Sequence, residues 1–264
     1  MEWWSGREVG ANSYPGFMQM IVLGSNGTYP TAGRPASGYL VSDAKTRLWM
    51  EAGPGTYLAL CNEMDPTEID GVILSHRHPD HCSDFFALYH ALAYGPNSGK
   101  PVPVVCPPDL AEALSAFLHD PPTLGSVFRF IPSTGGDTVR LGTMEISLAL
   151  SNHPPPTLAP RITVNGRSLT YTADTGPSEA LTEHATGSNV LLAEAGSGGG
   201  SSGRPYPYHL TGSEAGLMAA AAGVGRLVLT HIPAYVDPEQ VLQEAEAEFK
   251  GRVTLAVPGT RIAV

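Results

Sequence analysis

Short apolar runs broken by glycine, proline and polar turns recur along the whole chain, and their lengths are those of strands. Strands are predicted at 20–24, 38–42, 46–51, 71–75, 103–106, 127–131, 138–141, 144–151, 161–164, 168–172, 189–193, 226–230 and 253–257. Five stretches carry apolar residues at helical spacing instead: 83–94, 109–119, 178–184, 213–222 and 238–250. In the last, Val241, Leu242, Ala245 and Phe249 form one stripe, with acids on the other face. Asp109, Ser178 and Ser213 are suitable helix caps. No shift of composition divides the chain. It reads as one α/β domain over residues 1–264, with 1–18 as a candidate N-terminal extension.

The chemistry sits where the apolar runs stop. Val72-Ile73-Leu74-Ser75 is followed by His76-Arg77-His78-Pro79-Asp80-His81, three imidazoles and a carboxylate within six residues. Imidazole nitrogen and carboxylate oxygen are the donors that zinc and its neighbours favour. One tight loop cannot complete such a site, so further donors must come from elsewhere. His153 follows the run 146–152, Asp174 follows 168–173 and His231 follows 226–230. A single polar residue after a strand is ordinarily structural. Four strands ending in this way predict one catalytic edge, because open sheets bind ligands beyond the carboxyl ends of their strands.

In order and rough spacing, His76, His78, Asp80, His81, His153, Asp174 and His231 resemble the metallo-beta-lactamase superfamily, in particular the branch holding ribonuclease Z and related phosphodiesterases. The resemblance spans Met20 to Val264 and includes Leu23-Gly24-Ser25, Gly53-Pro54-Gly55-Thr56 and Leu229-Thr230-His231-Ile232-Pro233. The actinobacterial members described as cyclic-nucleotide phosphodiesterases are also similar at His209-Leu210-Thr211-Gly212-Ser213-Glu214-Ala215-Gly216 and Glu244-Ala245-Glu246-Ala247-Glu248-Phe249.

The resemblance implies a four-layer αββα sandwich holding two divalent metal ions. His76, His78 and His153 would hold one, Asp80, His81 and His231 the other, with Asp174 bridging them. Zinc is the first expectation for so imidazole-rich a set, with manganese or iron as alternatives at the more oxygen-rich site. The activity implied is cleavage of a small phosphodiester, a 3′,5′-cyclic nucleotide going to the 5′-nucleotide, by attack of a metal-bound hydroxide. Asp80 belongs to that catalytic set, and His209, aided by Glu194, protonates the leaving oxygen. Glu51 stands where the family more often has aspartate, which lengthens a carboxylate expected behind the metal ligands. The family also suggests a homodimer.

Charge narrows the substrate. Lys and Arg number 15 against 25 Asp and Glu, a net charge of −10, and no basic run offers the footprint of a long polyanion. Only the short stretch 154–173 separates His153 from Asp174, and nothing else resembles the protruding arm of the transfer-RNA-processing members. Large nucleic acid is therefore disfavoured as a partner, while two divalent cations would still attract a small anion. Three other readings share these residues: a ribonuclease Z-like RNA phosphodiesterase, a lactone, thioester or sulfate-ester hydrolase, and a metal-bound regulatory module without turnover. The complete donor set weighs against the last.

Cys61, Cys82 and Cys106 are too few and too scattered for a disulfide framework, which suits a reducing compartment. No stretch approaches the roughly 20 apolar residues of a membrane span. The first residues lack a basic start and an apolar signal core, so the expected location is cytoplasmic. Gly196-Ser197-Gly198-Gly199-Gly200-Ser201-Ser202-Gly203 reads as a mobile loop able to act as a lid. Tyr89, His90, Tyr94, Tyr206, Tyr208 and Tyr235 are candidates for stacking on a base.

Overall fold

Alternation along the first strand, β1 (Gln19–Gly24), sets the layering of the molecule. Met20 and Val22 enter one apolar cluster, while Ile21 and Leu23 enter another on the opposite face. A strand buried on both sides has to lie in an inner layer. The computed structural model describes residues 18–96, 99–118, 121–197 and 207–264, and within them it places two seven-stranded sheets.

The first sheet holds β1, β3 (Gly38–Ser42), β4 (Arg47–Met50), β5 (Gly71–Ile73), β6 (Val102–Cys106), β7 (Phe128–Pro132) and the last strand, β16 (Arg261–Ala263), in the order β16-β1-β3-β4-β5-β6-β7. The second holds β8 (Thr138–Leu141), β9 (Met144–Leu150), β10 (Leu158–Val164), β11 (Arg167–Tyr171), β12 (Val190–Glu194), β13 (Arg226–Thr230) and β15 (Arg252–Leu255), in the order β15-β13-β12-β11-β10-β9-β8. β4 to β7 run parallel, as do β11, β12, β13 and β15, so each sheet has a set of carboxyl ends pointing one way. A two-residue pair, β2 (Asn26–Gly27) with β14 (Ile232–Pro233), joins the segments that follow β1 and His231.

The inter-sheet core contains Met20, Val22, Tyr39, Met50, Ile73, Ile146, Leu169, Leu192 and Val228. Outside the first sheet pack α1 (Thr56–Glu63), α3 (Phe85–Tyr94), α4 (Pro108–Leu118) and α5 (Pro121–Val127) through Leu60, Phe85, Leu88, Leu110, Leu114 and Leu124. Outside the second lie α6 (Glu179–His184), α7 (Gly212–Ala222) and α8 (Pro238–Glu248), through Leu181, Met218, Ala219, Val241 and Ala245. The layers are those of an αββα sandwich. Among the described residues no helix is long and apolar enough to cross a membrane.

Several boundaries differ from the sequence reading, for identifiable reasons. The helix expected from residue 83 starts at Phe85, and a separate turn, α2 (Pro79–Cys82), precedes it. Asp84 N–H donates to the Ala52 carbonyl there, which breaks the helix ladder. Thr211, rather than Ser213, caps α7 in a capping box with Glu214. Asp109 lies inside the first turn of α4, whereas Ser178 does cap α6. β10 begins three residues earlier than expected, despite Pro160; pairing with β11 starts only at Arg161, so no ladder on that side needs the missing N–H.

Deep between the sheets, the Tyr39 hydroxyl and Thr230 Oγ1 stand 2.5 Å apart, linking β3 to β13 across the core. Tyr39→Phe leaves the buried Thr230 hydroxyl without this partner and is expected to cost about 1–3 kcal/mol. Urea unfolding checks it; an unchanged midpoint contradicts the link.

Candidate metal centre

The parallel strands of both sheets deliver polar side chains from their carboxyl ends into one cleft. Glu51 follows β4, His76 follows β5, Asp174 lies just past β11, Glu194 ends β12 and His231 follows β13; His153 comes from the antiparallel β9 and Asp80 and His81 from α2. Three residues at these exits hold left-handed backbone: Glu51 at φ 65°, Ala173 at 49° and His231 at 54°. Such conformations cost a non-glycine residue of order 1–3 kcal/mol and concentrate where geometry is functional. Here they turn the chain sharply at a strand end, so that Glu51, Asp174 and His231 point between the sheets.

Gly53 makes the close approach of the α2 segment feasible. A Cβ at this position would stand 2.1 Å from the Asp80 carbonyl oxygen and 2.7 Å from that of Ser37. Beside it the Ala52 N–H donates to the His81 carbonyl. The Gly-Pro-Gly segment thus seats the backbone of Asp80 and His81.

All seven expected donors converge in two groups that share Asp174. In the first, His78 Nδ1 lies 2.9 Å from His76 Nε2 and 3.3 Å from His153 Nε2. Asp174 Oδ2 stands 3.8 Å from His76 Nε2 and 3.9 Å from His153 Nε2. In the second, His231 Nε2 is 3.3 Å from His81 Nε2 and 3.2 Å from Asp80 Oδ2, with His81 Nε2 to Asp80 Oδ2 at 3.5 Å. Asp174 Oδ1 completes this group at 3.3 Å from His81 Nε2 and 3.5 Å from His231 Nε2. One carboxylate therefore turns one oxygen to each group.

These spacings fit divalent ions. Ligand atoms about 2.0–2.1 Å from a tetrahedral centre stand about 3.3 Å from one another, close to the edges of the second group. Asp174 Oδ1, one of the donor atoms, is buried without a hydrogen bond among the described residues, a state that buried polar atoms seldom tolerate unless something further binds nearby. Charge is suited too. Burial opposes the ionisation of Asp174, but without a metal the protonated rings of His231 and His81 outweigh it and hold the carboxyl well below its ordinary range, a positive charge that a bound ion would replace. Desolvation keeps His76 far below the usual imidazole value and His153 down at about 4, so both rings are neutral donors at ordinary pH.

A surrounding layer fixes the ring orientations. His81 Nδ1 lies 2.6 Å from Glu51 Oε2, which turns Nε2 to the cleft, and His153 Nδ1 donates to the Tyr208 carbonyl at 3.2 Å, which does the same. Glu51 is fully buried and also accepts from Ser75. The lengthened carboxylate expected behind the ligands thus reaches one of them. Backing by a backbone carbonyl such as that of Tyr208 leaves no mark in a sequence, and Ser75 reads there only as the end of an apolar run.

His209 Nδ1 lies 2.9 Å from Glu194 Oε1. Glu194 is fully buried and also accepts from Thr175 N–H at 2.9 Å and Gly196 N–H at 2.6 Å, which fixes the carboxylate. The His209 ring stacks on His231, with centroids 5.6 Å apart and planes at 14°, and meets His153 edge-on at 5.2 Å. Burial alone would lower its basicity, but the hydrogen bond and charge of Glu194, with Asp174 behind, raise it to about 9.

Cys82 is buried and its thiol is pushed up to about 12, mainly by desolvation, which keeps it protonated beside the donors. Of the described aromatic residues expected to stack on a base, Tyr208 makes ring contact with a candidate ligand, 6.3 Å from His153. Tyr89 is buried in the helix layer, and Tyr94 and Tyr235 are exposed. Tyr206 and all but the first two residues of the expected lid, Gly196 to Gly203, lie outside the described residues.

Comparison with known proteins agrees with this geometry. The family described as Beta-lactamase superfamily domain matches residues 46–232. Probable metallo-hydrolase YhfI of Bacillus subtilis is 28% identical over 249 residues, covering 92% of this chain and 98% of that protein. Its crystal structure superposes with a TM-score of 0.86 at 26% identity, over 94% of this chain and all of the other. The uncharacterized protein Rv1339 of Mycobacterium tuberculosis is 38% identical over 248 residues, 91% of this chain and 90% of that one. A ribonuclease Z of Mycolicibacterium paratuberculosis is 27% identical over 270 residues, covering 90% and 95%. The chain belongs to the beta-lactamase superfamily, and its fold is the metallo-beta-lactamase sandwich. It is a metallo-hydrolase of that superfamily, and the His and Asp clusters fit its divalent metal site.

Because each oxygen of Asp174 faces one group, Asp174→Ala is expected to lose both ions, whereas His78→Ala should retain about one equivalent. Metal content after dialysis of the zinc-loaded proteins checks this. Two equivalents retained by Asp174→Ala would contradict the shared position.

Proposed function

We propose that the protein hydrolyses a small phosphodiester, with a 3′,5′-cyclic nucleotide as the leading substrate and the 5′-nucleotide as product. The observation that carries this reading is the His209–Glu194 pair, a basic imidazole backed by a buried carboxylate, stacked on His231 and edge-on to His153, one ring from each donor group. When bound at those groups, two divalent ions, zinc first among them, supply polarisation of the phosphoryl oxygens and activation of the attacking water.

The chain supplies the rest. His76, His78, His153, Asp80, His81, His231 and Asp174 hold the metals, and the Glu51 and Tyr208 contacts keep the rings in the ligating tautomer. With Nδ1–H donated to Glu194, His209 keeps Nε2 to hold the phosphate and pass a proton to the departing oxygen. A protonated ring suits an anionic ester, and a neutral lactone or thioester has no charge for it to hold. The net charge of −10 supports a small substrate over a long nucleic acid. An RNA phosphodiester stays as the second reading because relatives called ribonuclease Z match most of the chain.

Purified zinc-loaded protein set against cyclic nucleotides, a generic phosphodiester, a precursor transfer RNA, an aryl sulfate, a lactone and a thioester tests the reading. Turnover is expected on the small phosphodiesters. Turnover confined to the lactone or thioester would overturn it. His209→Ala should lower kcat on the best phosphodiester by about 10²–10⁴ with both ions retained; unaltered kcat would remove His209 from its role.

A further inference from the structure

Ser75 precedes the first candidate ligand and is completely buried, yet its side chain has two polar partners. Its Oγ lies 2.9 Å from Glu51 Oε2 and 2.9 Å from His76 Nδ1, and its N–H donates to Glu51 Oε1 at 2.7 Å. Glu51 Oε2 is also the atom 2.6 Å from His81 Nδ1. A continuous line of contacts thus runs from His76, in the first donor group, through Ser75 and Glu51 to His81, in the second.

We propose that Ser75 is a positioning residue that ties His76 to the same buried carboxylate as His81, so that Glu51 fixes the ligating tautomer in both metal sites at once. This rests on the two-metal reading above. The direction of the chain follows from counting protons. For His76 Nε2 to offer a lone pair, Nδ1 must carry the proton and donate to Ser75 Oγ. The single hydroxyl proton is then free to go to Glu51 Oε2, which also receives His81 Nδ1–H. The reverse arrangement, with Ser75 donating to His76, would put a proton on Nε2. It would also leave Ser75 Oγ and Glu51 Oε2 in contact with no proton between them, an unpaired buried acceptor. With Glu51 ionised, only one direction satisfies every atom, and it is the one that leaves both rings ready to bind metal.

The reach of glutamate matters here. Oε2 meets the serine hydroxyl and the His81 ring together while Oε1 accepts the Ser75 amide, and the left-handed backbone at Glu51 aims the side chain that way.

The two sites can be read separately by zinc titration against a chromophoric chelator in two backgrounds. Asp80→Ala/His231→Ala leaves the first donor group, and His78→Ala/His153→Ala leaves the second. Adding Ser75→Ala should weaken zinc binding 10- to 100-fold in the first background and leave the second unchanged, whereas Glu51→Gln should weaken both. An unchanged first site, or an equal loss in both, would overturn the proposal. Nitrogen-15 NMR of the zinc-loaded native chain tests it without substitution: His76 and His81 should both carry the proton on Nδ1, and an Nε2–H tautomer of His76 overturns it. A native chain that binds no zinc would instead sink the metal-hydrolase reading, which separates the two failures.

Discussion

An ionised carboxylate between the sheets is what the rest of this structure has to accommodate. Asp174 is almost wholly buried, and an isolated buried charge costs several kcal/mol. It is held by imidazoles on both sides: His76 and His153 toward Oδ2, His81 and His231 toward Oδ1. Those rings come from the first sheet's edge and from the second sheet alike. The facing of the two sheets and the charge of this one group are therefore a single problem, solved only when the strands present their carboxyl ends to the same cleft.

The backbone shows what that solution requires. Left-handed φ values at Glu51, Ala173 and His231 turn the chain inward at three strand exits, against local preference, and the packed inter-sheet core beneath them holds those turns in place. Glu194 illustrates the same economy: at the end of β12, it takes two backbone N–H groups and then presents an oxygen to His209. Strand ends carry many of these groups: Glu51, His76, His153, Asp174, Glu194 and His231 each lie at a strand's carboxyl end or within three residues of it. The segment from Pro207 to His209 also approaches the cleft, through the Tyr208 carbonyl on His153 and the His209 ring on Glu194.

Much of this was legible in the chain because strand burial and metal ligation both leave strong marks. Apolar runs on inner strands such as β1 and β13 are unbroken, and His76, His78, Asp80 and His81 occur too close together to be incidental. Those two signals mark the inner strands and the cleft; the four layers and the set of seven donors are what the resemblance to the metallo-beta-lactamase superfamily implies, and the structure has those layers and brings those donors together. What escaped was set by tertiary context. α1 buries only Thr56 and Leu60, so its helical stripe is faint, and α2 is a single turn whose end is decided by a hydrogen bond to Ala52. Thr211 caps α7 because Glu214 answers it, a reciprocal pair that outcompetes Ser213. Ser75 and the Tyr208 carbonyl act through hydrogen bonds to rings, and neither residue type nor spacing announces such a contact. The substrate is the least legible feature, since neither the metal-ligating residue types nor the His209–Glu194 pair carries a mark of what the substrate is.

Anomalous diffraction from zinc-soaked crystals tests most directly whether the Asp174 carboxylate joins two metal sites. Two peaks roughly 3.5–4 Å apart are expected, one held by His76, His78, His153 and one oxygen of Asp174, the other by Asp80, His81, His231 and the second oxygen. A single ion, or two ions with both Asp174 oxygens on one of them, would contradict it.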